Sequence, residues 1–429
     1  MQDRCYDIVV FGATGYLGSL ICYYMSATAP APLRWAIAGR NAAKLRELSG
    51  KLQDAYPRLK PPAVVVSTLE TTQLDRLASD TRLVLNTVGP FSKYGTPVVE
   101  ACIRQSTAYV DSAGEHTWSH EIAATLHDRA IAQKAPIVPH CAVESSPPDL
   151  MTYLLLRKMH EARLVPAGPL YFSIDNTWPG YSGGNVAAIL GVLSTYSLSQ
   201  INASSASLAS CVPNAGPNRP PAVLMLPVRH DSFLGPVTFN PSAMTDRSVV
   251  MRTWSLLQRY GAAHEKYGEY FSFQSYSRAP NLLRGWLSFL SVSFMTLFVV
   301  LLPPLQSLVA WISPAPGTGP QVAEGEKHYV EWKATLQAKP TTGSLKHGAR
   351  VTGTMRINVD VYRCCALLVA EAALSAVEVL GSGESSSLLA KLHGGVLTPT
   401  SLGMTYIDRL QKAGLNIRVD LETRHGEKI

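Results

Sequence analysis

The stretch Ile8-Val9-Val10-Phe11-Gly12-Ala13-Thr14-Gly15-Tyr16-Leu17-Gly18 decides the fold of the N-terminal part of this chain. Apolar residues of strand character run into a glycine-rich turn, and a helix-compatible segment follows. A second strand, Arg34-Trp35-Ala36-Ile37-Ala38, then ends in Gly39-Arg40. This layout predicts a dinucleotide-binding βαβ unit. One glycine makes the tight turn, one lets backbone approach a pyrophosphate, and one lets the helix pack closely on the strand. The helix N-terminus offers free N–H groups and a positive dipole end to the phosphates. The cofactor-binding residues expected here are Gly12, Thr14, Gly15, Tyr16, Leu17 and Gly18.

The end of the second strand selects the dinucleotide. An NAD site usually carries an acid there, on the ribose 2′-hydroxyl. This chain has Gly39-Arg40, with Lys44 one turn on. A guanidinium can pair with a 2′-phosphate in a forked geometry, whereas a carboxylate would repel it. NADP(H) is therefore expected over NAD(H).

A chain of 429 residues is long enough for two domains. Its formal charge of +7 favours anionic ligands and surfaces. Lysine and arginine are scattered, and no basic run or aromatic-basic ladder appears, so no nucleic-acid partner is expected. The seven cysteines form no CxxC pair, which fits reduced thiols. Neither they nor the eleven histidines show metal or triad spacing, and no metal site is expected. Met1 to Cys5 leads almost directly into the first strand, so we expect no signal peptide and a cytoplasmic chain.

After Arg40 the alternation continues. Asn41 to Tyr56 reads as a helix with Asn41 as N-cap and Leu45, Leu48 and Leu52 on one face. Ala63–Val66 reads as a buried strand, 70–79 as a helix, and Arg82–Asn86 as a strand ending in Thr87-Val88-Gly89-Pro90. Thr96–Gln105 reads as a helix, Ala108–Asp111 as a strand, His116–Gln133 as a helix and Ile137–Pro139 as a strand. The expected class is α/β, with a Rossmann doubly wound parallel sheet over 1–150. A second α+β domain over 151–393 should contain an antiparallel sheet, built from the alternating stretches 328–337 and 350–361. Helices are expected over 150–163, from 184 to about 197, over 361–379 and over 403–413, with a strand at 170–175. Residues 199–222 read as an irregular connection, and 394–429 as packing back on the first domain.

Gly285 to Ala323 contains no charged residue. Trp286 to Leu302 is nearly apolar, ends at Pro303-Pro304, and is followed by apolar Leu305 to Ile312. Three structures fit: a helix buried in the protein, a hairpin dipping into one leaflet or a lipid droplet, or a spanning helix. Arg278 and Arg284 precede the run and suit a phospholipid surface.

These stretches together resemble the saccharopine-dehydrogenase-like oxidoreductases, in the branch that includes the lipid-droplet saccharopine dehydrogenase-like protein and the trans-acting enoyl reductases. The resemblance rests on Val9 to Gly18, on Trp35 to Arg40 with Lys44-Leu45, and on Val84 to Phe91 continuing through Tyr94 to Cys102. It rests also on Tyr109-Val110-Asp111-Ser112-Ala113-Gly114-Glu115 and Gly394 to Gly403. Two segments depart from the family. A Gly-Phe-Asp-Ser-x-Pro-x-Asp segment is matched here by Ala142-Val143-Glu144-Ser145-Ser146-Pro147-Pro148-Asp149. The Ser-Gly-Gly-Thr helix start is matched by Ser182-Gly183-Gly184-Asn185.

Asn86, Val88, Gly89 and Pro90 end a central strand, where ligands bind in open parallel sheets, and are expected to line the nicotinamide ribose. Thr68 is expected on the adenine side. Tyr94, in the loop after this turn, is a candidate proton donor. Ser112 and Glu115 form a polar cluster with Asp111 at the next strand end, and Glu144 is the best-placed general acid. Asp149 reads as a helix cap. The resemblance implies hydride transfer from NADPH to an enone or enoyl thioester of a lipid-like or polyketide substrate, small-molecule or carrier-bound. The apolar segment suits such a substrate or a membrane or lipid-droplet surface. Imine or C–N oxidoreduction, a non-redox isomerase or cyclase, and a membrane-bound scaffold are the other readings. The oligomeric state stays open, a homodimer included.

Overall fold

The computed structural model describes residues 4–220, 226–321, 326–340, 349–382 and 386–423. The ends of three stretches read above, 221–222, 322–323 and 424–429, lie outside the described residues.

The first half alternates strand and helix: β1 Tyr6–Phe11, α1 Tyr16–Thr28, β2 Trp35–Gly39, α2 Ala42–Ala55, β3 Ala63–Val66 and α3 Thr71–Ser79. It continues with β4 Thr81–Asn86, α4 Phe91–Arg104, β5 Ala108–Asp111, α5 His116–Ala132 and β6 Pro136–Val138. After α6 (Ser146–Glu161) come β7 Leu164–Pro166, β8 Leu170–Asn176, α7 Gly183–Thr195 and α8 Leu198–Ser204. Then follow β9 Val228–Asp231, β10 Gly235–Phe239, α9 Ala243–Tyr260, β11 Phe273–Arg278, α10 Leu282–Leu301 and α11 Pro303–Ile312. The chain closes with β12 Val330–Pro340, β13 Ala349–Ile357, α12 Val361–Ser382, α13 Leu388–Leu392, β14 Gly395–Val396, α14 Gly403–Lys412 and β15 Asn416–Thr423.

The first sheet runs β14-β6-β5-β4-β1-β2-β3, with every pair parallel. The order reverses between β1 and β4, so the ligand crevice of such a sheet opens above these two strands. The second sheet runs β15-β13-β12-β8-β11-β10-β9, with β7 also on β12. It is antiparallel except for the β8–β11 pair. The last segment divides between the sheets: β14 extends the first beside β6, and β15 the second beside β13.

Several expectations change. β3 is an edge strand, with Val64 and Val66 37% and 54% exposed, so it is not buried on both faces. The connection after 198 is irregular only beyond α8: Ser197 and Gln200 form a capping box on that helix, while 205–220 carry no helix or strand, with Ser210 and Val212 buried. Helix α4 starts at Phe91, not Thr96. Pro97 suggests a helix start, but Glu115 caps the chain earlier by accepting from the amides of Phe91 (2.7 Å) and Ser92 (2.8 Å). Tyr94 is therefore in the first helical turn rather than in a loop. Asp149 lies inside α6 and accepts from the Thr400 amide at 2.9 Å, tying α6 to the turn at Pro399–Leu402.

Among the described residues, two helices are each long and apolar enough to cross a membrane. Helix α12 is buried, packing on α1, α14, β4 and β5, and belongs to the core. Helix α10 buries only Gly285, which removes the reading of a helix enclosed by protein.

Candidate active site

The glycines of the first loop are required by contact. Gly12 has φ +90°, and a Cβ there would stand 2.7 Å from Thr87 Oγ1. A Cβ on Gly18 would overlap the Gly12 carbonyl, so α1 can start only where residue 18 has no side chain. The first turn of α1 contains no acid and no side-chain cap, leaving its N–H groups to an external anion. This cradle fits a pyrophosphate. Gly18→Val is expected to destabilise the fold by about 1–3 kcal/mol through overpacking, read as a lower urea midpoint with an unchanged slope; an unchanged midpoint contradicts the close contact.

At the edge of β2, Arg40 and Lys44 are exposed. Asn41 accepts from the Lys44 amide at 3.0 Å and starts α2 as expected. A Cβ on Gly39 would meet only Leu45, at 3.9 Å. The two cations therefore border an open face beside the glycine loop, where a 2′-phosphate can be held. Thr68, after β3, accepts from the Glu70 amide at 3.3 Å, and its own amide donates to Gln73 Oε1.

The Asn86–Pro90 turn is fixed from beneath. Asn86 Oδ1 accepts from the Val88 amide at 3.0 Å, and its Nδ2 donates to the Tyr109 hydroxyl at 3.1 Å. Tyr109 donates to Asp111, whose other oxygen accepts from the amides of Ala113 and His140, both 2.9 Å. Burial raises the Asp111 carboxyl to about 7 despite these donors. From above, α7 packs on the turn: a Cβ on Gly191 would stand 2.8 Å from Pro90 Cβ and 3.1 Å from Ser92 Oγ.

Glu115 has both carboxylate oxygens committed to the start of α4. Burial is the leading influence on its carboxyl, which sits above its ordinary range. Ser112 is half-buried after β5, and Tyr94 is 41% exposed on α4. Glu144 differs from these. It follows β6 and lies against Gly114, where a Cβ would stand 2.5 Å from Glu144 Oε2. Burial pushes its carboxyl above its ordinary range, and part of the side chain remains accessible.

A second acid that sequence patterns do not single out stands within electrostatic reach of Glu144. Asp246, 2% exposed on α9, is pushed well above its ordinary value by burial, and the Glu144 charge adds to this. Its Oδ2 accepts from Ser275 Oγ at 2.5 Å and Asn240 Nδ2 at 3.1 Å, while Oδ1 has no hydrogen-bond partner among the described residues. The preceding residue, Thr245, donates to the Gly114 carbonyl at 2.9 Å. Glu144 thus packs against Gly114 directly, Asp246 follows a residue hydrogen-bonded to it, and burial favours the protonated form of both carboxyls. His116 and His140 are both lowered to about 4 by burial and stay neutral. His140 Nδ1 is 2.7 Å from the Ala113 carbonyl, and His116 Nε2 is 3.1 Å from Ser205 Oγ.

A doubly wound sheet with an open phosphate cradle and a cationic edge at β2 defines an NADP-dependent oxidoreductase. Residues 8–138 match the saccharopine dehydrogenase NADP binding domain. A Mycobacterium tuberculosis (strain ATCC 25618 / H37Rv) protein, provisionally assigned as a trans-acting enoyl reductase, is 31% identical over 97% of this chain and 97% of its own. The trans-acting enoyl reductase of Mycobacterium leprae (strain TN) is 29% identical over 97% of this chain and 98% of its own. The chain belongs to the saccharopine dehydrogenase-like oxidoreductases, in the branch of these reductases.

Proposed function

We propose that this protein uses NADPH to reduce an activated carbon–carbon double bond, an enone or enoyl thioester, in a lipid-like or polyketide substrate presented free or on a carrier. The observation that carries the reading is the carboxyl of Glu144, shifted toward its acid form by burial and packed against Gly114, next to Glu115, which holds the turn after β4. Bound NADPH supplies a hydride to the β-carbon. Gly12 to Gly18 hold the pyrophosphate, Arg40 and Lys44 the 2′-phosphate, and Thr68 the adenine side. Asn86, Val88, Gly89 and Pro90 line the ribose next to the reacting ring. Glu144 gives its proton to the α-carbon as charge develops on the carbonyl oxygen, and burial of the carboxyl keeps that proton in place until then. Glu115 positions the turn through α4. Ser112 and Tyr94 border the substrate side, and Tyr94, being exposed, serves as a contact more readily than as a proton donor. Incubating the protein with NADPH and a panel of 2-enoyl thioesters tests the reading: saturated product is expected, and none with any member overturns it.

We also propose that α10 and α11 seat the protein on a phospholipid surface. The helices expose Leu283, Leu287, Phe294, Phe298, Leu301 and Trp311, the last 82% accessible. Exposure covers most of the circumference of α10, which fits solvation by lipid rather than one partner stripe. Ten residues in α11 are too few to return across a bilayer, so the pair dips rather than spans. At the break, Pro303 has no N–H for the Val299 carbonyl, and Gln306 Nε2 donates to that oxygen at 3.0 Å. Arg284 is exposed beside the run, while Arg278 is committed to Asp175 (3.3 Å) and Glu331 (3.1 Å), which changes its expected role at the surface. The intact protein is expected to need detergent, and a form with 286–312 replaced by a Gly/Ser linker to be monodisperse without it. A detergent-free, monodisperse intact protein contradicts the seating.

A further inference from the structure

The apolar hairpin is tied to the protein at its start and, past its end, at the glycine-rich turn, and α11 also packs on α7. At its start, Thr238 Oγ1 donates to the Gly285 carbonyl at 2.8 Å, and Gly285 packs against Val228, Thr238 and Ala279. This fixes α10 to the β9–β10 edge of the second sheet. At its end, residues 314–320 run from α11 to the glycine-rich turn. Tyr16, the first residue of α1, donates its hydroxyl to the Pro320 carbonyl at 2.6 Å. Gly319 lies so close to the Tyr16 ring that a Cβ there would overlap it.

The same strap holds the start of α7. The Gly183 amide donates to the Thr318 carbonyl at 3.0 Å, and a Cβ on Gly183 would overlap the Pro314 and Ala315 carbonyls. Tyr362 closes the group: its ring meets Tyr16 edge-on with centroids 5.1 Å apart, and its hydroxyl accepts from the Ser182 amide at 2.7 Å. Helix α7 in turn packs on Pro90 through Gly191. One strap of backbone therefore touches the phosphate turn directly, and through α7 the nicotinamide turn, while its other end continues into the exposed hairpin.

We propose that docking of the hairpin on a phospholipid bilayer and binding of NADPH are linked through residues 314–320, so that each tightens the other. The proposal rests on the membrane seating proposed above. A bilayer is the occupant because residues 285–321 carry no charge, α10 is exposed nearly all round, and the Val299 carbonyl freed at Pro303 is taken up within the hairpin by Gln306. A docked hairpin fixes the position of the strap. The strap then holds Tyr16 and Gly183 in one arrangement, and part of the ordering that NADPH needs is already complete before it binds. Linkage requires that NADPH strengthen bilayer binding by the same factor.

The test uses the full-length protein, NADPH fluorescence, and vesicles of phosphatidylcholine with phosphatidylglycerol. NADPH affinity is measured with and without vesicles, and vesicle co-sedimentation with and without NADPH. A matching factor of about five or more in both directions is expected, within the usual range for coupled sites. Gly319→Val pushes the strap off the Tyr16 ring, and Tyr16→Phe removes only the hydrogen bond. In both variants the factor should fall toward one, and because it is a ratio within a single variant, a change in either affinity alone does not mimic this. Co-sedimentation with an unchanged NADPH affinity overturns the linkage and leaves the seating intact. Failure to co-sediment, including through self-association into a dimer, overturns both. A factor that survives in both variants overturns the role of the strap.

Discussion

Replacing Glu144 by Gln is expected to slow enoyl reduction by about 10²–10⁴-fold, the usual contribution of a positioned general acid. Gln has the same shape and keeps the packing against Gly114, but it has no proton to give. NADPH affinity should change little, because the substitution keeps the size of the side chain and touches none of the glycines or cations expected to hold the nucleotide. The pH profile supplies the sign. Burial raises the Glu144 carboxyl, so the acid form persists above the ordinary carboxylate range. Activity is therefore present below the raised value and is lost as pH rises through it. Initial rates with a 2-enoyl thioester across pH check both points. Wild-type rates in the variant, or an alkaline limb that survives in it, contradict the assignment.

The second large effect is expected at Arg40. Arg40→Glu replaces a forked cation with a charge that repels the 2′-phosphate. Losing charge-assisted hydrogen bonds worth about 1.5–3 kcal/mol each, with repulsion added, predicts NADPH binding weaker by about 100-fold or more. NADH lacks that phosphate and should change by less than about three-fold on the same scale. Fluorescence titration of both nucleotides reads the difference, and equal losses would place the 2′-phosphate elsewhere. Lys44 is exposed nearby, and Lys44→Ala should give a smaller loss of the same selectivity.

The Rossmann half was legible because each of its cues is local. The apolar strand, the glycines, the Asn41 cap and the buried face of Leu45, Leu48 and Leu52 lie within single elements. Even there, the start of α4 was hidden, because its cap is Glu115, distant in sequence. The second half was read less well for the same reason. Helix α9 buries Val249, Val250, Met251, Trp254, Leu256 and Leu257, so it lacks the one-sided stripe by which helices are recognised. Strands β9, β10 and β11 are short and find their order only through pairing with one another and with β8.

The site divides in the same way. The glycine-rich loop and the cationic edge were visible as motifs, and Glu144 stood in a segment marked by its departure from the family. Asp246 was not visible: it lies on an unrecognised helix and comes within electrostatic reach of Glu144 only in the folded chain. Hydropathy alone could not separate α10 from α12. Both are apolar enough to span a membrane, and only the packing of α12 on α1 and α14 assigns it to the core.

The most direct measurement of the central claim follows the hydrogen. The protein is incubated with NADPH carrying deuterium at C4, each face in turn, and a 2-enoyl thioester, and the product is analysed by mass spectrometry and NMR. One deuterium at the β-carbon of a saturated product, from one face only, is the predicted result. Bound NADPH with no deuterium in any product across enoyl thioesters and enones would contradict it and point to a redox-silent use of the same scaffold.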